Sequence, residues 1–586
     1  MKRSIILLCI LPGLASQACT KDDILGDFPS SDTTEAAGDD HSGSDIETDA
    51  ADDMVSATTF ERTVTVTFSD SDGASVEGAS DAIEAVIDGN RVTLTNNGSE
   101  TVVYRLTGSS TDGCFKLYSS RKQEILLDGL SLANPRGAAV NNQSHKRTFV
   151  VLRGANTLSD GPSYTETPSD EDEKAAFFSE GQLVFSGDGS LTVRATGKAG
   201  ITSDDYVRFM DGATVDVSSS AGHGVRGKQA VIVSDGTVNV EVSGTGKKGF
   251  SSDTLVYIGG GITTILCTGS AGLVDDELTG AAGIKADLRF VMDNGILNVS
   301  ATGTGAKGIC GDNVAYFNGG TATVTASGAN YGNSSSGGFG GGFPGGFRPG
   351  GDSSQTTDTS KSSKAVKFDG NIYVTGGTLV ARSSRHEGIE AKGNLTVTGG
   401  EVFSQASDDA INCAGDMVLE GGRVCAWSTG NDGLDANGDL YIKGGLIYAI
   451  GSGGAELAID ANSEAQKKLY FSGGTLVALG GLESGASLSQ KCFSTSSWSK
   501  DTWYGLSAGE VTFVFKTPSS AGSPLVVSGT GTPVLSAGVS YSGGTDLFDG
   551  TALEGVEILD GSAVSLSSYS GGSEMGGGMG HGGFGW

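Results

Sequence analysis

The short signatures that announce a chemistry are missing from this chain. It contains no Ser-His-Asp arrangement, no zinc-ligand spacing and no phosphate-binding glycine loop. Nothing in it therefore points to a triad hydrolase, a zinc enzyme or a P-loop protein. Cysteine is sparse: of eight, Cys9 and Cys19 lie near the N terminus, and the others are spaced too irregularly for a disulfide framework. Cys413 and Cys425 share one repeat unit and are open to two readings, a bridge or two buried thiols. Positive charge is short as well. A net charge of −31 excludes nucleic acid and anionic membrane surfaces as direct partners. It also repels an anionic polysaccharide unless bound cations reverse the local sign. Beyond the N-terminal residues no apolar run is long enough for a membrane anchor.

Residues 1–18 read as a secretory signal. Lys2 and Arg3 form the positive region, residues 5–11 the apolar core, and Ser16, Gln17 and Ala18 lead to Cys19. A cysteine directly after small residues is where bacterial lipoproteins are cleaved and acylated, so Cys19 is the expected lipidation site. The alternative is ordinary cleavage with Cys19 merely nearby. Thr20-Lys21-Asp22-Asp23 resembles the basic-then-acidic surface-export tag of Bacteroidetes lipoproteins. That likeness implies a lipid-anchored outer-membrane protein exposed at the cell surface. Residues 19–58, rich in Asp, Ser, Thr, Glu and Gly, bury too little to offset their ordering entropy and are expected to form a disordered acidic tether.

What the chain has in abundance is glycine, 95 of 586 residues, and its distribution follows a repeat. The runs Glu387-Gly388-Ile389-Glu390, Asp409-Ala410-Ile411-Asn412 and Asp432-Gly433-Leu434-Asp435 lie 22 and 23 residues apart. Equivalent anchors recur at Ile201, Val225, Phe250, Ile284, Ile309, Val366 and Ile459, mostly 22 to 25 residues apart, with gaps of 34 and 57 where insertions enter. Between anchors, short alternating segments such as Asn394-Leu395-Thr396-Val397-Thr398 are strand signals flanked by glycine turns. Three short strands and three turns per coil describe an all-β, right-handed parallel β-helix with 22–25 residues per coil over residues 59–490. The Leu-x-x-Leu-x-Leu pattern of a leucine-rich repeat is absent. Residues 329–364 read as a Gly-rich insertion loop, whose Phe339, Phe343 and Phe347 are candidate sugar-stacking rings. Residues 491–570 read as a small C-terminal β cap covering the open end, and 571–586 as a Gly-rich disordered tail.

Equivalent residues of successive coils in such a solenoid stack about 4.8 Å apart. The anchor motif then builds three columns: His386, Asp408, Asn431; Glu387, Asp409, Asp432; and Glu390, Asn412, Asp435, Asp460. Two carboxylates at that spacing repel by roughly 3 kcal/mol at an effective dielectric of about 20, which calls for a counter-charge. Oxygen ligands without His/Cys pairing select Ca²⁺ over zinc. The expected metal ligands are Glu387, Glu390, Asp408, Asp409, Asn412, Asn431, Asp432, Asp435 and Asp460. The competing reading is a set of solvated Asp and Asn in surface turns. Against it, the acids are confined to the C-terminal coils: the residue after the anchor is Thr202, Arg226, Ser251, Lys285 and Cys310 in the earlier ones. A separate column, Asn371, Asn394, Asp416 and Asp439, reads as a ladder supporting turns.

The segments Ser407 to Asn412, Gly430-Asn431-Asp432-Gly433-Leu434-Asp435-Ala436-Asn437-Gly438 and Leu440-Tyr441-Ile442-Lys443-Gly444-Gly445 resemble a bacterial family of calcium-containing, carbohydrate-binding parallel β-helix proteins related in fold to pectate lyases. Glu124 to Leu132 and Ala175 to Ser179 extend the resemblance over roughly residues 85–570. It implies binding of acidic sugars such as polygalacturonate through calcium that bridges protein and sugar carboxylates. Arg226 and Phe250-Ser251 stand where that family more often carries an acid, so calcium is not expected in those coils.

Three functions remain open. In a non-catalytic binding module, Ca²⁺ offers open coordination positions to a uronate, Arg385 and Lys392 lie beside the ligand, and Phe403, Trp427 and Tyr448 stack on sugar rings. In a polysaccharide lyase, a Lys or Arg near the columns (Arg382, Arg385, Lys392 or Arg423) removes the acidified proton. In a structural adhesin, calcium serves folding alone. The module is favoured, with an acidic polysaccharide and the outer-membrane lipid as partners, no nucleic acid, and a monomeric chain.

Overall fold

The computed structural model describes residues 51–571 apart from 166, 170 and 333–360. The signal segment, Cys19, residues 19–50, Phe339, Phe343, Phe347 and the tail from 572 lie outside the described residues. Each coil contributes three short strands. Ile411–Cys413, Met417–Leu419 and Arg423–Ser428 pair in parallel with Leu434–Ala436, Leu440–Ile442 and Leu446–Ile450 of the next coil. Repetition of this pairing gives the parallel β-solenoid that the repeat predicts. A 15-stranded sheet carries the anchors from Ile83–Asp88 to Ile459–Ala461, and the other strands form the remaining faces. One corner shows why glycine recurs. Gly400, Gly422 and Gly445 have φ of 75°, 73° and 86°, and a Cβ on Gly422 would come within 2.8 Å of the Gly399 backbone.

The anchors fill the interior. Ile389, Ile411, Leu434 and Ile459 are buried in one continuous core with the inward residues of the other faces, each burial stabilising by roughly 1.5–3 kcal/mol. Because the frame is held by backbone pairing of each coil's strands with those of its neighbours, outward side chains can change without altering it. That separation lets a site be written on the fold. No helix of the described residues is long and apolar enough to cross a membrane.

Several boundaries differ from expectation. The end of the expected tether, residues 51–58, packs on the solenoid. Buried Asp53 pairs with Arg208 at 2.8 Å and Arg147 at 2.7 Å, and Tyr206 donates to it at 2.6 Å. The interrupted coil resumes before residue 364: Tyr331 and Lys361 bridge across the base of the insertion, and Ser363 and Lys364 are buried in the coil. Residues 491–570 do more than close an end. Strand Leu525–Ser528 pairs antiparallel with Thr475–Leu479, and a six-stranded antiparallel sheet folds back along the flank. There Phe403, Cys425, Tyr448 and Val477 pack against Tyr504, Phe513 and Phe515. Cys413 sits in the solenoid core and Cys425 in that flank cluster, so the two are free buried thiols.

Candidate functional site

The strand carrying each anchor places one residue, immediately after it, in an unbroken outward column. Register pairs Lys367 with Glu390, Glu390 with Asn412, Asn412 with Asp435, and Asp435 with Asp460. The column continues one coil further than the sequence motif suggests. Leu482 bridges to Ile459, and Glu483 follows it, buried, with its N–H donating to the Ile459 carbonyl. A 23-residue step from Ile459 to Leu482 was the available signal.

The column two residues before the anchor runs beside it: Lys364, Glu387, Asp409, Asp432. In each aspartate one oxygen is used by the turn above. Asp409 Oδ1 accepts from the Asp432 N–H at 3.1 Å, and Asp432 Oδ1 accepts from the Leu457 N–H. Asn412 Nδ2 donates to Asp409 Oδ2 at 3.2 Å and to Asp435 Oδ2 at 2.6 Å, tying the two columns together. The outermost column behaves likewise: Asn431 donates to Asp408 at 3.1 Å, and His386 Nδ1 lies 3.1 Å from Asp408. Among the described residues, His386, Glu387 and Asp408 form one of two groups whose donor atoms all lie within 4.8 Å of one another; Asp172, Glu180 and Asp204 form the other. By contrast, Asn371, Asn394, Asp416 and Asp439 form the expected turn ladder, each accepting the N–H of the next coil's turn at 2.8–2.9 Å.

Charge compensation divides the columns into two ends. At the N-terminal end Lys364 reaches Glu387 at 3.0 Å and also contacts Glu390, and Lys392 contacts Glu390. Burial alone would raise Glu387, yet the His386 hydrogen bond and Lys364 bring it down to about 2. At the C-terminal end the balance is reversed. Burial, then Asp435, Asp408 and Asp432, push Asp409 well above the carboxylate range. Burial pushes Asp432 up to about 8, with Asp460, Asp435 and Glu456 adding to it and the Leu457 N–H opposing. Asp435 rises through burial and Asp460. Glu483 rises through burial and a shared hydrogen bond with Asp460. A carboxylate pair makes such a bond only when a proton lies between them. Among the described residues, these groups lack a positive partner comparable to Lys364. Their oxygens suit a hard divalent cation, which would replace the protons.

The remaining predicted residues fall elsewhere. Arg385 is exposed beside His386. Tyr448 is buried beneath the flank sheet, 5.1 Å from the Phe515 ring, and donates to the Lys516 carbonyl at 2.9 Å. Trp427 is half-buried against the same cluster and Phe403 is buried in it. Burial makes Phe403 and Tyr448 packing residues, which corrects their assignment to sugar, while Trp427 keeps part of its ring at the surface. Arg382 and Arg423 pair with Asp549 and Glu554 of the same sheet. Sequence reasoning missed Lys364, hidden at the end of a presumed loop, and Glu483.

A family model described as a carbohydrate-binding domain-containing protein matches residues 88–410 and 351–512. The chain belongs to this carbohydrate-binding family. The match takes in all the columns described above. No curated protein matches. Among solved structures, the polysaccharide lyase-like protein from C. thermocellum, in its gadolinium derivative, is 19% identical over 42% of this chain and 94% of that one, with a TM-score of 0.35.

Proposed function

We propose that this carbohydrate-binding protein is a non-catalytic receptor for acidic polysaccharide of the polygalacturonate type, with Ca²⁺ bridging protein and glycan. The supporting observation is the stack at the C-terminal end of the columns: Asp409, Asp432, Asp435, Asp460 and Glu483 follow one another there over successive coils and, among the described residues, without a lysine or arginine like the one that serves Glu387 and Glu390. Bound Ca²⁺ would supply the missing positive charge and vacant positions for a sugar carboxylate. Asn412 holds Asp409 and Asp435 at a fixed separation, so the donors are arranged before the ion arrives. The ligand set thus shrinks from the sequence expectation, since Glu387 and Glu390 already have protein cations.

A lyase is less well supported, because the cation beside the columns is poorly suited to act as a base. Burial would lower Lys392, but its hydrogen bond to Glu390 together with the charges of Glu390, Glu387 and Asp369 outweighs this and raises it. We place the protein at the outer membrane, facing outward as a monomer on a lipid attached at Cys19. The test is a pull-down of the full chain on polygalacturonate with calcium or chelator, with ultraviolet absorbance followed for unsaturated ends. Calcium-dependent retention without absorbance is expected. Accumulating absorbance would establish a lyase instead, and absence of retention on any acidic glycan would leave an adhesin.

A further inference from the structure

The two columns do not end at Lys364. Followed toward the N terminus, they change sign. The column after the anchor reads Arg226, Ser251, Lys285, Cys310, Lys367 in register. The column before it places Lys248 against Ala282 and Ala282 against Lys307, with Lys364 in the next coil. Each of these coils thus carries at least one basic side chain, and successive coils rise by about 4.8 Å.

Both insertions of the solenoid border this stretch. The first is the hairpin of Gly272–Val274 and Glu277–Thr279; the second returns to the coil at Lys361. The hairpin, Lys361 and the columns border a cleft of about 360 Å³, lined by Lys248, Lys285, Lys307, Lys361 and Lys367. That volume lies at the small end of the range of ligand clefts, roughly 300–1,000 Å³. Three carboxylates also line it: Glu277, Asp312 and Asp369. Lys285 pairs with Asp287 and Asp312, and Lys367 with Asp369. In the other column Lys364 is paired with Glu387 and Glu390, whereas Lys248 and Lys307 are not neutralised in this way. Lys248 donates to the Gly246 carbonyl at 2.8 Å. Lys307 is half-buried, and among the described residues no hydrogen bond or ion pair holds its ammonium. Burial lowers both below the ordinary lysine range, and neighbouring lysines add to it. His223, at the far end, is pushed down to about 3 by burial and by Lys248, Arg226 and Lys247, so it adds no positive charge. An uncompensated, partly buried ammonium is costly unless an anion completes it.

We infer that this lysine cleft is a second glycan subsite, which takes an oxyanion substituent of an acidic sugar directly on ammonium groups, without calcium. It rests on the carbohydrate-binding reading but not on the calcium of the acidic columns. The oxyanion has two sources, a uronate carboxylate or a sugar sulfate, and both meet Lys307 and Lys248 as hydrogen-bond donors in a low-dielectric wall.

The experiment titrates the full chain, in chelator, with trigalacturonate, with a sulfated trisaccharide and with neutral maltotriose. Alkylation of Cys310 by iodoacetamide, followed by mass spectrometry, reports occupancy of the cleft from inside it. One anionic trisaccharide is expected to bind and to slow Cys310 alkylation, while maltotriose does neither. The tighter of the two anions identifies the source. Lys307→Met, which keeps the aliphatic stem, should weaken binding at least tenfold, and Lys307→Arg should retain it. Binding by neither anion in chelator, or equal binding by Lys307→Met, overturns the inference. The calcium reading is judged separately, on Asp435→Asn with calcium present, so either can fail while the other stands.

Discussion

Replacing Lys364 by methionine tests whether the columns are buried electrostatics or solvated turns. The lysine is 8% exposed, Glu387 9% and Glu390 1%, and its ammonium lies 3.0 Å from Glu387 while touching Glu390. At an effective dielectric of about 20, one such contact is worth about 5–6 kcal/mol of gross Coulomb energy. Desolvation cancels much of that. Removing one partner nevertheless leaves the others buried and unpaired, which costs about 3–5 kcal/mol. Methionine keeps the stem packed, so the loss reports charge and not a cavity. A solenoid opens locally, so the readout is amide hydrogen exchange at 387–391 and 409–413, compared with distant coils at 183–203. In chelator, exchange in the acidic coils should accelerate on the order of 10²–10³-fold, with the distant coils unchanged. Millimolar calcium should restore part of the protection by standing in for the ammonium. Exchange within threefold of the wild type in chelator would refute the reasoning, because it would mean that Glu387 and Glu390 shed their charge into water at no cost.

Three further outcomes follow from the geometry. Asp435→Asn should lower calcium affinity at least tenfold by equilibrium dialysis while leaving the circular dichroism unchanged, since Asp435 faces outward between Asn412 and Asp460. Tyr448→Ala should destabilise docking of the flank sheet by about 3–5 kcal/mol in a urea titration, through a cavity and a lost hydrogen bond. It should leave polygalacturonate affinity unaltered; a selective loss of glycan binding would restore the stacking role. Asp53→Ala removes the carboxylate paired with the buried Arg208 guanidinium and should cost about 3–5 kcal/mol, seen as earlier proteolysis of residues 51–58.

The solenoid was legible because its determinants are local and periodic. An inward aliphatic every 22 to 25 residues and a glycine at a left-handed corner are visible without knowing what packs on them. The acidic register was legible for the same reason. Other features depend on residues brought together from outside the repeat. Tyr448 looked outward because alternation assigns it to the outer face, and alternation cannot show that a sheet from residues 503–563 returns to cover that face. Lys364 sits next to a low-complexity insertion, where composition suggests a loop although the coil has already resumed. The lysines were hidden by alternation between columns: Lys248 and Lys307 stand before the anchor, Lys285 and Lys367 after it, so neither column alone reads as a basic run.

The reversal of sign between Lys367 and Glu390 is the feature that ties the face together. Stacking like charges every coil costs roughly 3 kcal/mol per adjacent pair, and this chain offsets that cost differently in the two stretches. In the basic stretch the column after the anchor is neutralised from its own turns, Lys285 by Asp287 and Asp312 and Lys367 by Asp369. In the acidic stretch the first coil is neutralised by Lys364 and Lys392. Among the described residues, what remains uncompensated is one group of each sign: Lys248 and Lys307 at one end, and Asp409, Asp432, Asp435, Asp460 and Glu483 at the other. If turn propensity alone had placed these residues, compensation would not stop at both ends. Residual charge of opposite sign at two positions along one face suits a chain-like ligand that carries its own anions and can share a cation, and it suits a compact neutral sugar poorly.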